Sequence, residues 1–495
     1  MSKPLEAAGA RPVAPAGRRS FILAACVMAT FMAAVENTIV ATAMPAIVAD
    51  LGEFRLFSWV FAAYLLSQAV SVPVYGRLAD LYGRKRVFFA GAGLFLVGST
   101  LCGFAGGMPA LIVFRIVQGL GAGAVQPVAY TIVGDIYTPA ERARVQGVLS
   151  GTFGVAAVFG PLLGAFLVEH ASWPIVFWVN LPVGAAAFAM LAVFYRERPQ
   201  RRTIRVDLLG ALLLVLGAGL VMLPLVQASQ LSGGVLAVCL SAGGLALVAL
   251  AWYERRIPDP MLPLRLWRNR VVALANGGGF AIGAAIMGVS AFLPTYVEAV
   301  MGRSATIAGM AYGAQSVSWA FASVAAGRLM IRTSYRASVL VGGAAIILGS
   351  AVLAAMTPAS GPLWAGLGAF LMGIGLGFCN TTYLVAVQAT VAHHERGAAT
   401  SANLFLRTLG QASGAALFGA VVNYGVLRHA PDSGGAVERL LQPMLRGSLD
   451  PAVIAQLSGA MASSIRIVYL LCGLLGVIVI VLGLRLPVAL RPADR

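Results

Sequence analysis

Glu36 stands in the middle of an apolar stretch, Phe31 to Pro45, that reads FMAAVENTIVATAMP. A lone carboxylate at bilayer depth costs ~2.5–3.5 kcal/mol on insertion scales, so it persists where it faces a cavity, finds a cationic partner, or spends time protonated. Each of those conditions points to transport. Of the 18 acidic residues, Glu36 alone lies well inside an apolar run. Desolvation at that depth favours a carboxyl that can load and release a proton. A static buried ion pair is the plainer reading of the same residue.

Two arginines are its candidate partners, Arg115 and Arg407, each inside a later apolar run. At ~1.5 Å per residue, Glu36 lies ~10 Å below the outer end of its helix and Arg115 ~9 Å below the outer end of its own. Arg407 falls ~15 Å from an inner end, near the midplane, where it would face the same cavity from the other half. A cation held tightly on the carboxylate opposes protonation, so proton coupling requires the Arg115 contact to loosen in one state.

Aromatic and amide residues recur within the apolar runs. Phe31, Tyr64, Gln68, Gln126 and Tyr130 do so in the first half of the chain, and Gln315, Trp319, Asn380, Tyr383 and Asn403 in the second. Such a lining suits bulky amphipathic solutes, and beside a carboxylate it favours lipophilic cations through attraction to aromatic faces. Anchoring at the membrane surface is the alternative for any single Trp or Tyr. The stretch GTFGVAAVFGPLLGA mixes Gly154, Gly160 and Gly164 with Pro161. Small residues let helices approach closely, and the proline frees a carbonyl and bends its helix, so a packing seam that slides between states fits this stretch. QGLGAG, from Gln118, lies inside an apolar run with no strand before it, which argues against a phosphate loop.

The elements that must position these residues follow from composition. The chain has 495 residues, is 59% hydrophobic and 11% charged, and has a mean hydropathy of +0.86. That is the profile of an all-α polytopic membrane protein. Fourteen apolar runs of about 20 residues, each long enough to cross ~30 Å of hydrocarbon, lie between Ser20 and Leu486. None alternates as a barrel strand would. The formal charge of +17 is not a nucleic-acid footprint: 27 of the 35 Lys and Arg fall in segments that read as cytoplasmic and 6 in outer loops. This positive-inside bias places both termini in the cytoplasm. Cys26, Cys102, Cys239, Cys379 and Cys472 sit in apolar runs without motif spacing and read as packing residues. No metal cluster, nucleophile–base pair or cofactor loop is evident, so an enzyme is not expected, nor a catalytic residue, metal or cofactor.

The expected organisation is a disordered cytoplasmic tail (1–19), a six-helix bundle (20–203), two inserted helices (204–260), and a second six-helix bundle (261–490) with a long outer loop at 425–463, followed by a short cytoplasmic tail (491–495). The first helix reads as uncleaved rather than as a signal peptide, because Glu36 interrupts its apolar run and a second run follows at about Trp59. GRLADLYGRKR, Gly76 to Arg86, is echoed 251 residues later by GRLMIRTSYR, Gly327 to Arg336. The echo suggests two related halves.

On these motifs the sequence resembles the major facilitator superfamily, and within it the fourteen-span drug:proton antiporter branch. Gly76, Asp80, Arg84 and Lys85 match the family's loop between spans two and three, implicated in a conformational charge latch. Asp135, in GDIYTPAER, matches a partner of that latch. Arg115, Gln118 and Gly119 match a span-four motif associated with proton coupling, and Gly154, Gly160, Pro161 and Gly164 match the antiporter motif of span five. Three departures stand out: Glu36 replaces the usual aspartate, Trp173-Pro174 replaces a usual Trp-Arg, and the later latch echo has no acid. The resemblance implies two pseudo-symmetric six-helix bundles plus two inserted helices, rocking about a central cavity. It implies proton-driven efflux of amphipathic, cationic drugs by a monomer in the inner membrane, with the proton gradient as energy source. A dedicated exporter of one metabolite, antibiotic or lipid, or a proton symporter or facilitator, would use the same fold.

Overall fold

The structure is a computed structural model that describes residues 16–137, 139–197, 207–227, 232–257, 264–391, 396–429, 439–440 and 450–487. Within helices, the side chains of Asp80 and Asp135 lie outside the described residues, as do the settings of Gly76 and Gly154. So do residues 1–15 of the expected tail.

Every apolar run expected to span forms a helix. In the first half these are α1 (Ala16–Leu51), α2 (Phe57–Tyr82), α3 (Arg84–Gly103), α4 (Met108–Ile136), α5 (Pro139–His170), and a last rod broken into α6 (Ile175–Trp178) and α7 (Asn180–Phe194). The inserted pair is α8 (Leu208–Gln227) and α9 (Gly233–Glu254). The second half begins with α10 (Arg270–Ser290) and α11 (Phe292–Thr295), which runs into a π-helical turn at Tyr296–Val300. It continues with α12 (Ala305–Arg332), α13 (Tyr335–Ala354), α14 (Gly361–Thr390), α15 (Arg396–His429) and α16 (Pro451–Leu484).

Among the described residues, 11 helices are long and apolar enough to cross a membrane. α5, α8 and α12 are not among them; α8 has only a shorter apolar stretch, while α5 and α12 pack on each other across the halves. Their stretches are rich in Gly, Ala, Ser and Thr, which a helix that packs against protein can carry in place of bulky apolar residues. Lipid-facing positions show the opposite pattern, with Val238, Leu245 and Val248 of α9 largely exposed.

The packing repeats between halves. α1 packs on α5 and α7, as α10 packs on α15 and α16; α2 and α3 pack on α4, as α12 and α13 pack on α14. The halves join where α2 meets α15 and α5 meets α12. α8 leans on the α2–α15 seam through Leu214, which clusters with Ala69, Val70 and Phe405.

One expectation needs correction. The segment 425–463 does not run as a single loop: α15 continues to His429 and α16 already starts at Pro451. Proline at the first helical position needs no N–H partner, and the Asp450 side chain accepts from Ala452 N at 2.8 Å, so the helix begins there. PAVIAQLSGAM is thus the first part of the last helix. Between the two helices, residues 430–438 and 441–449 lie outside the described residues.

Candidate functional site

Glu36 on α1 and Arg115 on α4 meet. The Arg115 Nη1 group donates to one carboxylate oxygen, with the two side chains only 0% and 1% exposed. Each charge would be costly alone at this burial, and breaking such a pair typically costs 3–5 kcal/mol. The remaining valences are therefore met as well. Asn180, at the start of α7, donates from Nδ2 to the other Glu36 oxygen at 2.7 Å. Arg115 also donates to Gln118 Oε1 at 2.7 Å and, from Nε, to the Val60 carbonyl at 3.2 Å. Its guanidinium lies 3.9 Å from the centroid of the Tyr64 ring.

A hydroxyl closes the network. Ser99 of α3 accepts from Gln118 Nε2 at 3.1 Å and from Asn180 Nδ2 at 3.0 Å, and donates to the Phe177 carbonyl at 2.8 Å. All these groups belong to the first half. The break between α6 and α7 is what sets Asn180 and the Phe177 carbonyl side by side at the site.

Arg407 does not join this cluster. It projects from α15 onto α14, where Nη1 donates to Asn380 Oδ1 at 2.7 Å, and it lies near enough to Tyr130 of the first half to interact electrostatically. Asn403, one turn earlier on α15, donates to the Ala275 carbonyl at 3.0 Å and to Asn276 Oδ1 at 3.2 Å. Tyr383 is buried on α14 against Gly278 of α10.

The expected lining residues thus fall into separate groups. Tyr64 belongs to the buried pair, Arg407 pairs with Asn380 near Tyr130, Asn403 pairs with Asn276, and Tyr383 packs on Gly278. Phe31, Gln68, Gln126 and Trp319 are half-buried, and Gln315 is buried. The cation-attracting setting expected for Glu36 is not what this conformation presents, because both carboxylate oxygens already accept protein donors. Asn180, Ser99 and Asn276 are the polar members that sequence reasoning did not place. Each is a polar residue inside an apolar run, the one signal that could have flagged it.

The latch loop has a partner of its own. The backbone N–H groups of Arg84 and Lys85 both donate to the Glu197 carboxylate, the second at 3.1 Å. This caps the start of α3. Lys85 Nζ in turn donates to the carbonyls of Ala192 and Tyr195 at 2.8 and 2.7 Å, capping the end of α7. Of the span-five motif, Gly160 and Gly164 lie against Thr38 and Thr42 of α1, and the Pro161 carbonyl lies against Gly309 of α12.

Residues 26–415 match the Major Facilitator Superfamily. The chain belongs to that superfamily. Among its superfamily relatives, the Multidrug resistance protein 3 of Bacillus subtilis (strain 168) is 33% identical, over 91% of this chain and 92% of that protein. The Multidrug transporter protein MdtP of the same organism is 32% identical over 82% of this chain and 76% of its own length. The Efflux pump FUS6 of Gibberella moniliformis is 31% identical over 87% and 80%. In fold, the chain superposes on a bacterial homologue of the human lysosomal transporter Spinster in an inward-facing, unoccupied conformation. That match has a TM-score of 0.67 and 16% identity, over 96% of this chain and 98% of that one. The chain is therefore a multi-pass membrane transporter of the superfamily, with efflux proteins among its relatives.

Proposed function

We propose that the protein is a proton-coupled antiporter that exports amphipathic compounds across the inner membrane by alternating access. The observation that carries this reading is the Glu36–Arg115 pair, sealed inside the first bundle with both carboxylate oxygens accepting donors. A proton and Arg115 compete for the same oxygen. Protonation removes the partner of a buried guanidinium, whose unpaired burial costs several kcal/mol, so it favours a rearrangement that gives Arg115 new partners. Proton arrival and helix movement are thereby linked.

The conformation supports the same cycle. At the end of the bundles opposite the latch loop, Thr306 donates its N–H to Glu169 Oε1 at 2.8 Å across the halves, and Asn423 Nδ2 donates to the Arg55 carbonyl at 2.8 Å. Phe57 and Phe292 pack there at a tilt, with ring centroids 5.6 Å apart. We take this as the outward-closed state. The full reading has fourteen spans, both termini cytoplasmic, a monomer, no cofactor beyond the proton gradient, and membrane lipids and the exported compounds as partners. The Gly160–Pro161–Gly164 seam is the sliding contact between α1, α5 and α12, and the Asp80, Arg84, Lys85 and Asp135 latch holds the cytoplasmic side.

The test is transport in proteoliposomes under an imposed pH gradient, using a drug panel and comparing wild type with Glu36→Gln. Gradient-driven uptake into inside-acidic vesicles, lost in Glu36→Gln while the variant still elutes as a folded monomer, is the expected result. Undiminished gradient-driven transport by Glu36→Gln overturns the coupling role.

A further inference from the structure

The two intramembrane arginines have opposite settings. Arg115 is neutralised by Glu36, but Arg407 has no carboxylate within 4 Å among the described residues, and its Nε is buried without a hydrogen-bond partner. Around it, α10, α14 and α15 carry a cluster of amide side chains. Asn403, which reaches Asn276 of α10, precedes Arg407 by one helical turn, and Arg407 reaches Asn380; Tyr383 packs on Gly278, which faces away from Asn276 on α10. Asn276 Nδ2, beside Asn403, also lacks a partner among the described residues, although the residue is 0% exposed. Arg407 and Asn380 are half-buried and form the open edge, opposite Tyr130 of the first half.

Unpaired buried donors are rare because each forfeits its hydration without a replacement, and a charged group forfeits the most. A fixed positive charge at an open edge, with an unpaired donor of its own, a second on Asn276 beside Asn403, and no acid within 4 Å among the described residues, makes a setting complementary to an acceptor-only, negatively charged group. A cation placed there would meet like charge and idle donors.

We propose that the Arg407 cluster is the polar recognition site of the transport pathway and that it selects amphipathic substrates carrying an anionic headgroup, such as a carboxylate or sulfonate. The inference rests on the efflux reading and gives its substrate class. Arg407 supplies the charge and the planar fork that matches an oxyanion, Asn380 steadies the guanidinium, and Asn276 is the additional donor on α10.

Binding tests this without any gradient. The full chain, in nanodiscs of neutral phosphatidylcholine, is titrated with three fluorescent probes that share one naphthyl-alkyl tail and end in a sulfonate, a hydroxyl or a trimethylammonium. Empty discs correct for partitioning. Wild type is expected to hold the sulfonate at least tenfold more tightly than the ammonium probe. Arg407→Gln should lose at least tenfold on the sulfonate and less than twofold on the hydroxyl probe. Arg407→Lys, which keeps the charge without the fork, should fall between them. Ammonium binding as tight as sulfonate binding, an equal loss on all three probes in Arg407→Gln, or no binding of the sulfonate overturns the proposal. If the anion site fails while gradient-driven transport stands, the charge assignment alone falls. If sulfonate selectivity holds but no compound moves with the gradient, the coupling reading falls and the site remains.

Discussion

Asn180 Nδ2 lies 2.7 Å from the Glu36 carboxylate oxygen that Arg115 does not take. The amide therefore completes the satisfaction of a charge that Arg115 alone would leave half-served. Replacing it with leucine keeps the branched skeleton but strips a donor from a buried anion, a change worth about 1–3 kcal/mol. The expected outcome for Asn180→Leu is a loss of that size in thermal unfolding in detergent, together with slower gradient-driven transport. Asn180→Gln, which keeps the amide, should recover part of both.

The Glu36–Arg115 pair makes a prediction about coupling between mutations. Arg115→Met leaves Glu36 ionised without its cation and should cost about 3–5 kcal/mol; Glu36→Gln does the reverse to Arg115. Removing both charges together should be much milder than the sum, because the double variant leaves no lone charge in the bundle. A double-mutant cycle on thermal unfolding checks this, and additive losses would mean that the two residues act independently.

That pair was legible in the sequence because single charges inside apolar runs are conspicuous, and matched depths follow from helical rise alone. Depth does not give azimuth, which is why Arg407 could be placed near the midplane yet not assigned to α14 rather than to Glu36. Asn180, Ser99 and Asn276 escaped for a related reason: an uncharged polar residue in a span has several possible neighbours, and its actual partner lies up to 144 residues away. The helices themselves were legible from apolar length, since a bilayer permits few alternatives. Their ends were less so. α15 and α16 run past the apolar runs into polar sequence, and Glu197, which caps α3, comes from a linker that reads only as basic.

Gly160 offers a test of the α1–α5 seam. A Cβ there would come within 1.9 Å of Thr38 Oγ1, which is itself bonded to the Val35 carbonyl at 2.9 Å. Gly160→Ala must therefore push the helices apart and should cost about 1–3 kcal/mol. Gly313 of α12 has nothing within 4 Å of the same position, so Gly313→Ala should be neutral or gain up to about 1 kcal/mol from helix propensity. Thermal unfolding of the two variants side by side separates a packing requirement from a general effect of alanine.

The Glu169 clasp gives the closed end of the bundles a pH dependence whose sign is fixed. Partial burial opposes ionisation, but hydrogen bonds from the Thr306 hydroxyl and backbone N–H, with Ser304 and the charge of His170, outweigh it and hold the carboxyl below the usual carboxylate range. The group whose value is lowered in the closed state stabilises that state fully above the ordinary carboxylate value of about 4.3, and loses that contribution as pH falls through its own lower value. Spin labels at Ser172 and Arg303, both exposed beside the clasp, should therefore report a fixed short distance at neutral pH and a growing long-distance population under acid conditions. Glu169→Ala should show the longer population already at neutral pH and a flat response below it. A wild-type distance distribution that does not change down to the bottom of the carboxylate range, or a Glu169→Ala distribution identical to wild type, would remove the clasp as a determinant of closure.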